Sequence, residues 1–254
     1  MTNKVAVFIT NLNMPEAADA AADYLSHSQQ PHDLYLVDNG SDLMPPAEHT
    51  NVQLLENVQT TNGWLAGVDA ARASGEDYFA YVFIITSMRF ISGDPLFSMA
   101  RFLHRWEDAV GVHPALTQDS TTAWEHLKLR PESPSDFRRV FMLDNICSMW
   151  RRDWWEAQGG FDERLIYGWG IDLELSLLAR RQGRSLWVDE TCQVRKITDV
   201  GYSLGRMHST AEERRQKASA NMAEILSEKY GAGWNNLMRN EGVRKNGNEI
   251  DGIY

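Results

Sequence analysis

Cysteine is scarce in this chain, with two in 254 residues, Cys147 and Cys192. So few exclude a multi-disulfide scaffold and a cysteine-built zinc site, and they fit a reducing compartment. No apolar run approaches the roughly 20 residues that a membrane span needs. Lys4 is followed only by the short run Val5 to Ile9, too brief for a secretory leader. The expectation is a cytoplasmic protein that is not integral to a membrane. Basic residues are in deficit, 25 Lys and Arg against 35 Asp and Glu for a net charge of -10, which tells against an extended polyanion as the main partner. The basic pairs Arg138-Arg139, Arg151-Arg152, Arg180-Arg181 and Arg214-Arg215 read by themselves as solvated helix faces. No Gly-x-Gly-x-x-Gly follows the first apolar run, so a dinucleotide-binding oxidoreductase is disfavoured. Lys4 alone does not make the basic phosphate loop of a nucleotidyltransferase. A hydrophobic content of 43% leaves an ordinary globular chain, long enough for one core.

What is present is a rhythm. The apolar runs Val5 to Thr10, Asp33 to Asp38, Val52 to Leu55, Tyr78 to Ile85 and Ala109 to His113 read as strands. Between them, helices are expected from Pro15 to Leu25 with Asn13 as cap, from Asn62 to Ser74, and from Pro95 to Trp106 with Asp94 as cap. Alternation of this kind predicts an α/β fold with a doubly wound, mainly parallel sheet, whose ligands sit outside the carboxyl ends of the strands. That places Thr10-Asn11, Asp38-Asn39 and Thr86-Ser87 on one rim. The second half is less regular: a polar loop from Thr117 to Pro134, a strand-like Val140 to Trp150, a helix from Asp172 to Gln182, and a polar outer helix from Ala211 to Lys229. Residues 1–115 read as a nucleotide-binding half, 116–210 as an acceptor half, and 211–254 as a C-terminal helix and tail of the same domain.

Four segments, in order, resemble the pattern of inverting family-two glycosyltransferases of the GT-A fold. They are FITNLNMPE (Phe8 to Glu16), LVDNGSD (Leu36 to Asp42), NGWLAGVDAA (Asn62 to Ala71) and GGFDERLIYGWGIDLELSLLARRQG (Gly159 to Gly183). The resemblance covers roughly the first two hundred residues. It implies transfer of a sugar from a UDP- or GDP-type donor to a hydroxyl of a saccharide or other acceptor, with modified nucleic acid left open. Asp38, which ends a buried strand, would grip the base or ribose; its bland reading is an Asx turn with Asn39 and Gly40. Asn62 and Gly63 would lie beside the nucleotide at a helix start, where backbone can approach closely. In the last segment Gly159-Gly160 breaks a helix, Phe161 anchors it and Asp162 caps the next turn. Trp169 and Gly170 would meet the acceptor, and Asp172 falls where the family places its general base. Asp172 as a plain helix cap is the rival reading, and Glu174 is the reserve candidate, otherwise an exposed helix residue.

The chain departs from the family at Ile84-Ile85-Thr86-Ser87-Met88-Arg89-Phe90. There the family carries Asp-x-Asp, which holds a divalent metal on the diphosphate. Ile171 likewise replaces an acidic residue before Asp172. The expectation is a transferase without a cofactor, Mn²⁺ or Mg²⁺ not being favoured, in which Arg195 and Lys196 stabilise the diphosphate. Arg89 and Arg206 are weaker candidates for that task. His208, or a convergence of Asp144, Asp199 and His208, would instead supply a metal site. The alternative function is a GT-A-like module that binds a nucleotide or glycan without turnover.

Overall fold

The computed structural model describes residues 3–130, 136–197 and 210–240. Its organising strand is β1 (Val5–Asn11), whose Val5, Ala6, Val7, Phe8 and Ile9 are wholly buried, as a strand covered on both faces requires. Helix α1 (Pro15–Ser26) leads to β2 (His32–Asn39), then β3 (Val52–Leu54), α2 (Gln59–Ala73) and β4 (Ala80–Ile85). The strands run parallel in the order β3-β2-β1-β4. The chain moves outward from β1 through β2 and β3, then returns to the other side of β1. This reversal between β1 and β4 opens a crevice at their carboxyl ends.

The second half continues the same sheet with mixed directions. It adds β5 (Met88–Ser92), α3 (Pro95–Arg105), β6 (Ala109–Leu116), a 3-10 turn at Glu125–Leu127, β7 (Phe137–Val140), β8 (Cys147–Arg151), α4 (Arg152–Ala157), α5 (Ile171–Arg181) and β9 (Ser185–Lys196). Beyond β4 the order is β8-β6-β9-β5, with β7 also paired to β9. Only β6 and β9 are parallel here. The α/β, doubly wound sheet is therefore present, with its parallel core in the first half. Two helices, α6 (Ala211–Tyr230) and α7 (Trp234–Asn240), complete the described chain. Among the described residues no helix is long and apolar enough to cross a membrane.

Alternation places Phe8, Tyr81 and Phe83 on one face of the sheet. Trp64 of α2, Trp155 of α4 and Phe161 complete an aromatic cluster there, with Phe83 and Phe161 at 4.5 Å between ring centroids. Phe161 is thus the anchor expected, and Gly159 and Gly160, both at positive φ, end α4 before it. Asp94 caps α3 by accepting from Phe97 N–H.

Several expectations need correction. Asn13 does not cap α1; it has φ 57° and its Oδ1 accepts from the N–H groups of Asp42, Leu43 and Met44, so it holds the loop after β2. The stretch Val140 to Trp150 is not one strand: residues 141–146 leave the sheet between β7 and β8. Arg139, Arg181 and Arg215 are exposed, as a solvated face requires, but one arginine in each of three pairs is tied into the protein. Arg138 is buried in an ion pair with Glu190 at 2.6 Å, Arg151 donates to Ala109 O, and Arg180 donates to Phe141 O and Met238 O.

Candidate functional site

The carboxyl ends of β1, β2 and β4 lie level, Asn11 opposite Asp38 and Thr10 opposite Ile85. Above them lies a cleft of about 540 Å³. Thr10, Asn39, Thr86 and Ser87 line it from the sheet, Asn57 and Thr60 from the entry to α2, and Thr121, Thr122 and Trp124 from the loop after β6. Tyr167, Trp169, Gly170 and Asp172 also line it, with Arg214, Arg215 and Met222 of α6. Thr10 Oγ1 and Asn145 Nδ2 are buried and find no hydrogen-bond partner among the described residues. Both belong to residues lining the cleft, and an unpaired buried polar atom is costly unless a ligand or water meets it.

Asp172 sits in the first turn of α5, 8% exposed, and its Oδ1 accepts from Gly170 N–H at 3.1 Å and Leu173 N–H at 2.9 Å. The turn that delivers it needs Gly170, whose φ is 94°. A side chain there would also strike Met222 of α6 at 2.9 Å. Burial, and then the charge on Asp144, push the Asp172 carboxyl up to about 7, against the pull of those backbone N–H groups. A carboxyl so poised exchanges its proton near neutrality, as acid–base work requires. Trp169 beside it is 39% exposed and open to a ring that stacks. Glu174 is neither exposed nor in reserve: it is buried, accepting from Tyr230 OH at 2.6 Å and pairing with Lys229 at 2.5 Å.

The nucleotide candidates divide. Thr10, Asn39, Thr86 and Ser87 reach the cleft wall. Asn39 also fixes the loop before α2, giving Nδ2–H to Asn57 Oδ1 and Gln59 O and accepting from Val58 N–H. Asn11 and Asp38 lie buried behind the lining: Asn11 Oδ1 accepts from Met14 N–H, and Asp38 accepts from Ser41 Oγ–H at 2.5 Å and Ser41 N–H at 3.2 Å. The Asx-type turn at Asp38 is thus real. Gly63 is a packing residue: a methyl there would come within 2.6 Å of Thr10 Cγ2 and 3.2 Å of Asn39 Nδ2. Asn62 is the fourth residue of α2, which starts at Gln59, and is not among the lining residues.

Of the expected cations, Lys196 lines the cleft, whereas Arg195 points to Asp119 at 2.8 Å and is half exposed. Arg89 is turned onto the carbonyls of Thr86 and Met88, both at 3.0 Å. Asp199, Arg206 and His208 lie outside the described residues. The loop that interrupts β7 and β8 brings in Asp144 and Asn145. Burial raises the Asp144 carboxyl, and Lys196 opposes the rise. Among the described residues no three His, Cys, Asp or Glu side chains gather as a metal site. The cleft offers two carboxyl groups, Asp144 and Asp172, with the Lys196 ammonium opposing the charge of Asp144, fewer oxygen ligands than a hard divalent cation usually takes.

Asn145, Tyr167, Arg214 and Arg215 were missed as site residues by sequence, and Asp144 was read there only as a candidate metal ligand. The segment Thr121 to Trp124, with two hydroxyls and one tryptophan, was the one available signal. The outer helix α6 proves to be a cleft wall.

No family profile matches the chain. Over 97 residues it is 32% identical to an uncharacterized protein of Mycobacterium bovis and to two of Mycobacterium tuberculosis, covering 37% of this chain and 36% of each relative. The match therefore spans little more than a third of those proteins. Among solved structures it is similar to that of GalNAc-T7 with UDP, GalNAc and Mn²⁺, with a TM-score of 0.58 at 11% identity, over 89% of this chain and 49% of that one. The fold is GT-A. The chain spans about half the length of that transferase structure, and at such identity the likeness concerns the fold.

Proposed function

We propose that this protein is a glycosyltransferase that moves a sugar from a nucleoside diphosphate to an acceptor hydroxyl with inversion at the anomeric carbon. The observation that carries the reading is Asp172: a buried carboxyl with a pKa near 7, on the rim of the cleft and beside the exposed face of Trp169. The donor lies along Thr10, Asn39, Thr86 and Ser87, over the reversal between β1 and β4. Asp38, Asn11, Asn62 and Gly63 shape that rim from behind. The acceptor stacks on Trp169 against Gly170, and Asp172 takes the proton of its hydroxyl as the oxygen attacks the anomeric carbon. The bond to the diphosphate breaks on the far side, and Lys196 meets the charge that develops there. No divalent metal takes part in this reading.

Asp172→Asn keeps the shape and both backbone hydrogen bonds while removing the base. Turnover of a nucleotide-sugar panel should fall by about 10²–10⁴ with nucleoside diphosphate affinity retained. Near-normal turnover in the variant moves the base elsewhere. Absence of turnover in the parent chain, with nucleotide binding intact, points instead to a binding module. Retention of anomeric configuration in the product overturns the single displacement.

A further inference from the structure

We infer that the acceptor is an acidic saccharide, its carboxylate or phosphate held by Arg214 and Arg215 of α6 while its hydroxyl faces Asp172. The inference rests on the transferase reading above and names the substrate class of that site.

Both arginines line the same cleft as Tyr167, Trp169 and Asp172, and Arg214 lies against Tyr167. The Arg214 guanidinium lies over the Tyr167 ring at 5.6 Å, a cation–π contact that holds it at the cleft. Arg215 is more than half exposed and meets Glu212 one turn back at 3.1 Å, a surface pair that a ligand anion can outcompete. Their position is built in. Thr210 and Glu213 form a capping box that sets the first turn of α6. Further along, Lys229 bridges Asp162 and Glu174, Tyr230 bonds Glu174, Arg164 pairs with Glu228, and Asn221 donates to Arg164 O. These contacts tie α6 to both flanks of the segment that delivers Trp169 and Asp172. Arg214 and Arg215 both bring a guanidinium group to this cleft, and such planar forks match carboxylate and phosphate oxygens.

Binding of glucuronic acid, glucose 6-phosphate and glucose to the full chain, followed by ligand-observed NMR at low ionic strength, tests the inference. The two acids separate a carboxylate from a phosphate. One or both should bind about tenfold or more tightly than glucose, with the preference shrinking as salt rises. The Arg214→Gln/Arg215→Gln double variant should lose that preference while UDP and GDP affinities hold. Arg215→Lys should keep part of it. If the double variant does not fold, Arg215→Gln alone, at an exposed position, should lose several-fold of the preference. Equal binding of acid and neutral sugar overturns the inference, as does a preference that survives the double variant. Weakened UDP or GDP binding with acid preference intact would assign the arginines to the donor phosphates and also overturn it. If no nucleotide binds, yet the arginine-dependent preference for acids remains, the transferase reading fails and the anionic saccharide site stands.

Discussion

The carboxyl groups of Asp144 and Asp172 border one cleft, and the charge of the first adds to burial in raising the proton affinity of the second. Asp144 is itself raised by burial, with Lys196 pulling the other way. Such neighbours titrate as a pair, so the protons belong to the site as much as to either residue.

The first consequence concerns the pH profile. With Asp172 as the base, kcat/KM should rise with pH through about 7 and then level. Replacing Asp144 by Asn removes a neighbouring negative charge, which lowers the Asp172 value. The rising limb should therefore move to lower pH. An unmoved limb in Asp144→Asn, or a profile already flat near pH 5, would separate the two carboxyls.

The same shift makes a stability prediction of definite sign. Asp172 has a folded value of about 7 against an ordinary 3.8, so between those values the folded state keeps a proton that the unfolded chain has released. Its contribution to stability is fully present below about 3.8, and is lost as pH rises towards 7. Asp172→Asn has no proton to lose. It should match the parent near pH 4 and exceed it near pH 8, by on the order of 1–4 kcal/mol. Thermal midpoints of both proteins at the two pH values check this; a variant less stable than the parent near pH 8 contradicts it.

The first half of the fold was legible because its elements satisfy themselves locally. Val5 to Ile9 of β1 and Ala80–Ile85 are unbroken apolar runs, and Asp94-Pro95 announces α3 without tertiary help. The long strand Ser185–Lys196 escaped notice because Asp189, Glu190 and Arg195 interrupt its apolar pattern. Their partners are distant in sequence: Glu190 meets Arg138, and Arg195 meets Asp119. The site divides in the same way. Thr10, Thr86 and Asp172 stand at the ends of readable elements. Asp144 and Asn145 reach the cleft only because a strand-like run breaks, and Arg214 and Arg215 only because α6 docks through Glu174. Glu174 itself was misread because a helix pattern does not say what lies beyond its polar face.

Arg138 offers a test of the second half of the sheet. Its guanidinium is 8% exposed, pairs with a Glu190 that is 5% exposed, and also donates to the carbonyls of His126 and Lys128. Glu190 accepts in addition from Arg130 N–H. Arg138→Ala leaves that carboxylate and two carbonyls buried without their donor, and should cost about 3–5 kcal/mol by chemical denaturation. A loss below about 1 kcal/mol, the range of exposed pairs, would return Arg138 to the solvated surface.

The last prediction is that turnover needs no divalent metal. Charge builds on the diphosphate as it leaves, and something must stabilise it. Where the resembling family carries Asp-x-Asp, this chain places Thr86, Ser87 and Met88, and the backbone carbonyls of Thr86 and Met88 already accept from Arg89. Lys196 lines the cleft, and in the proposed reading its ammonium takes that electrostatic role and repels an added cation. Activity on the true donor should therefore survive excess chelator and gain little from manganese or magnesium. Lys196→Ala should lower turnover by about 10²–10³, comparable to deleting one group that stabilises a developing anion, while Arg195→Ala, whose side chain faces Asp119 outside the cleft, should change it little. Activity abolished by chelator and restored by manganese sinks the metal-free reading. A Lys196→Ala protein that turns over normally without metal sinks only the role given to Lys196.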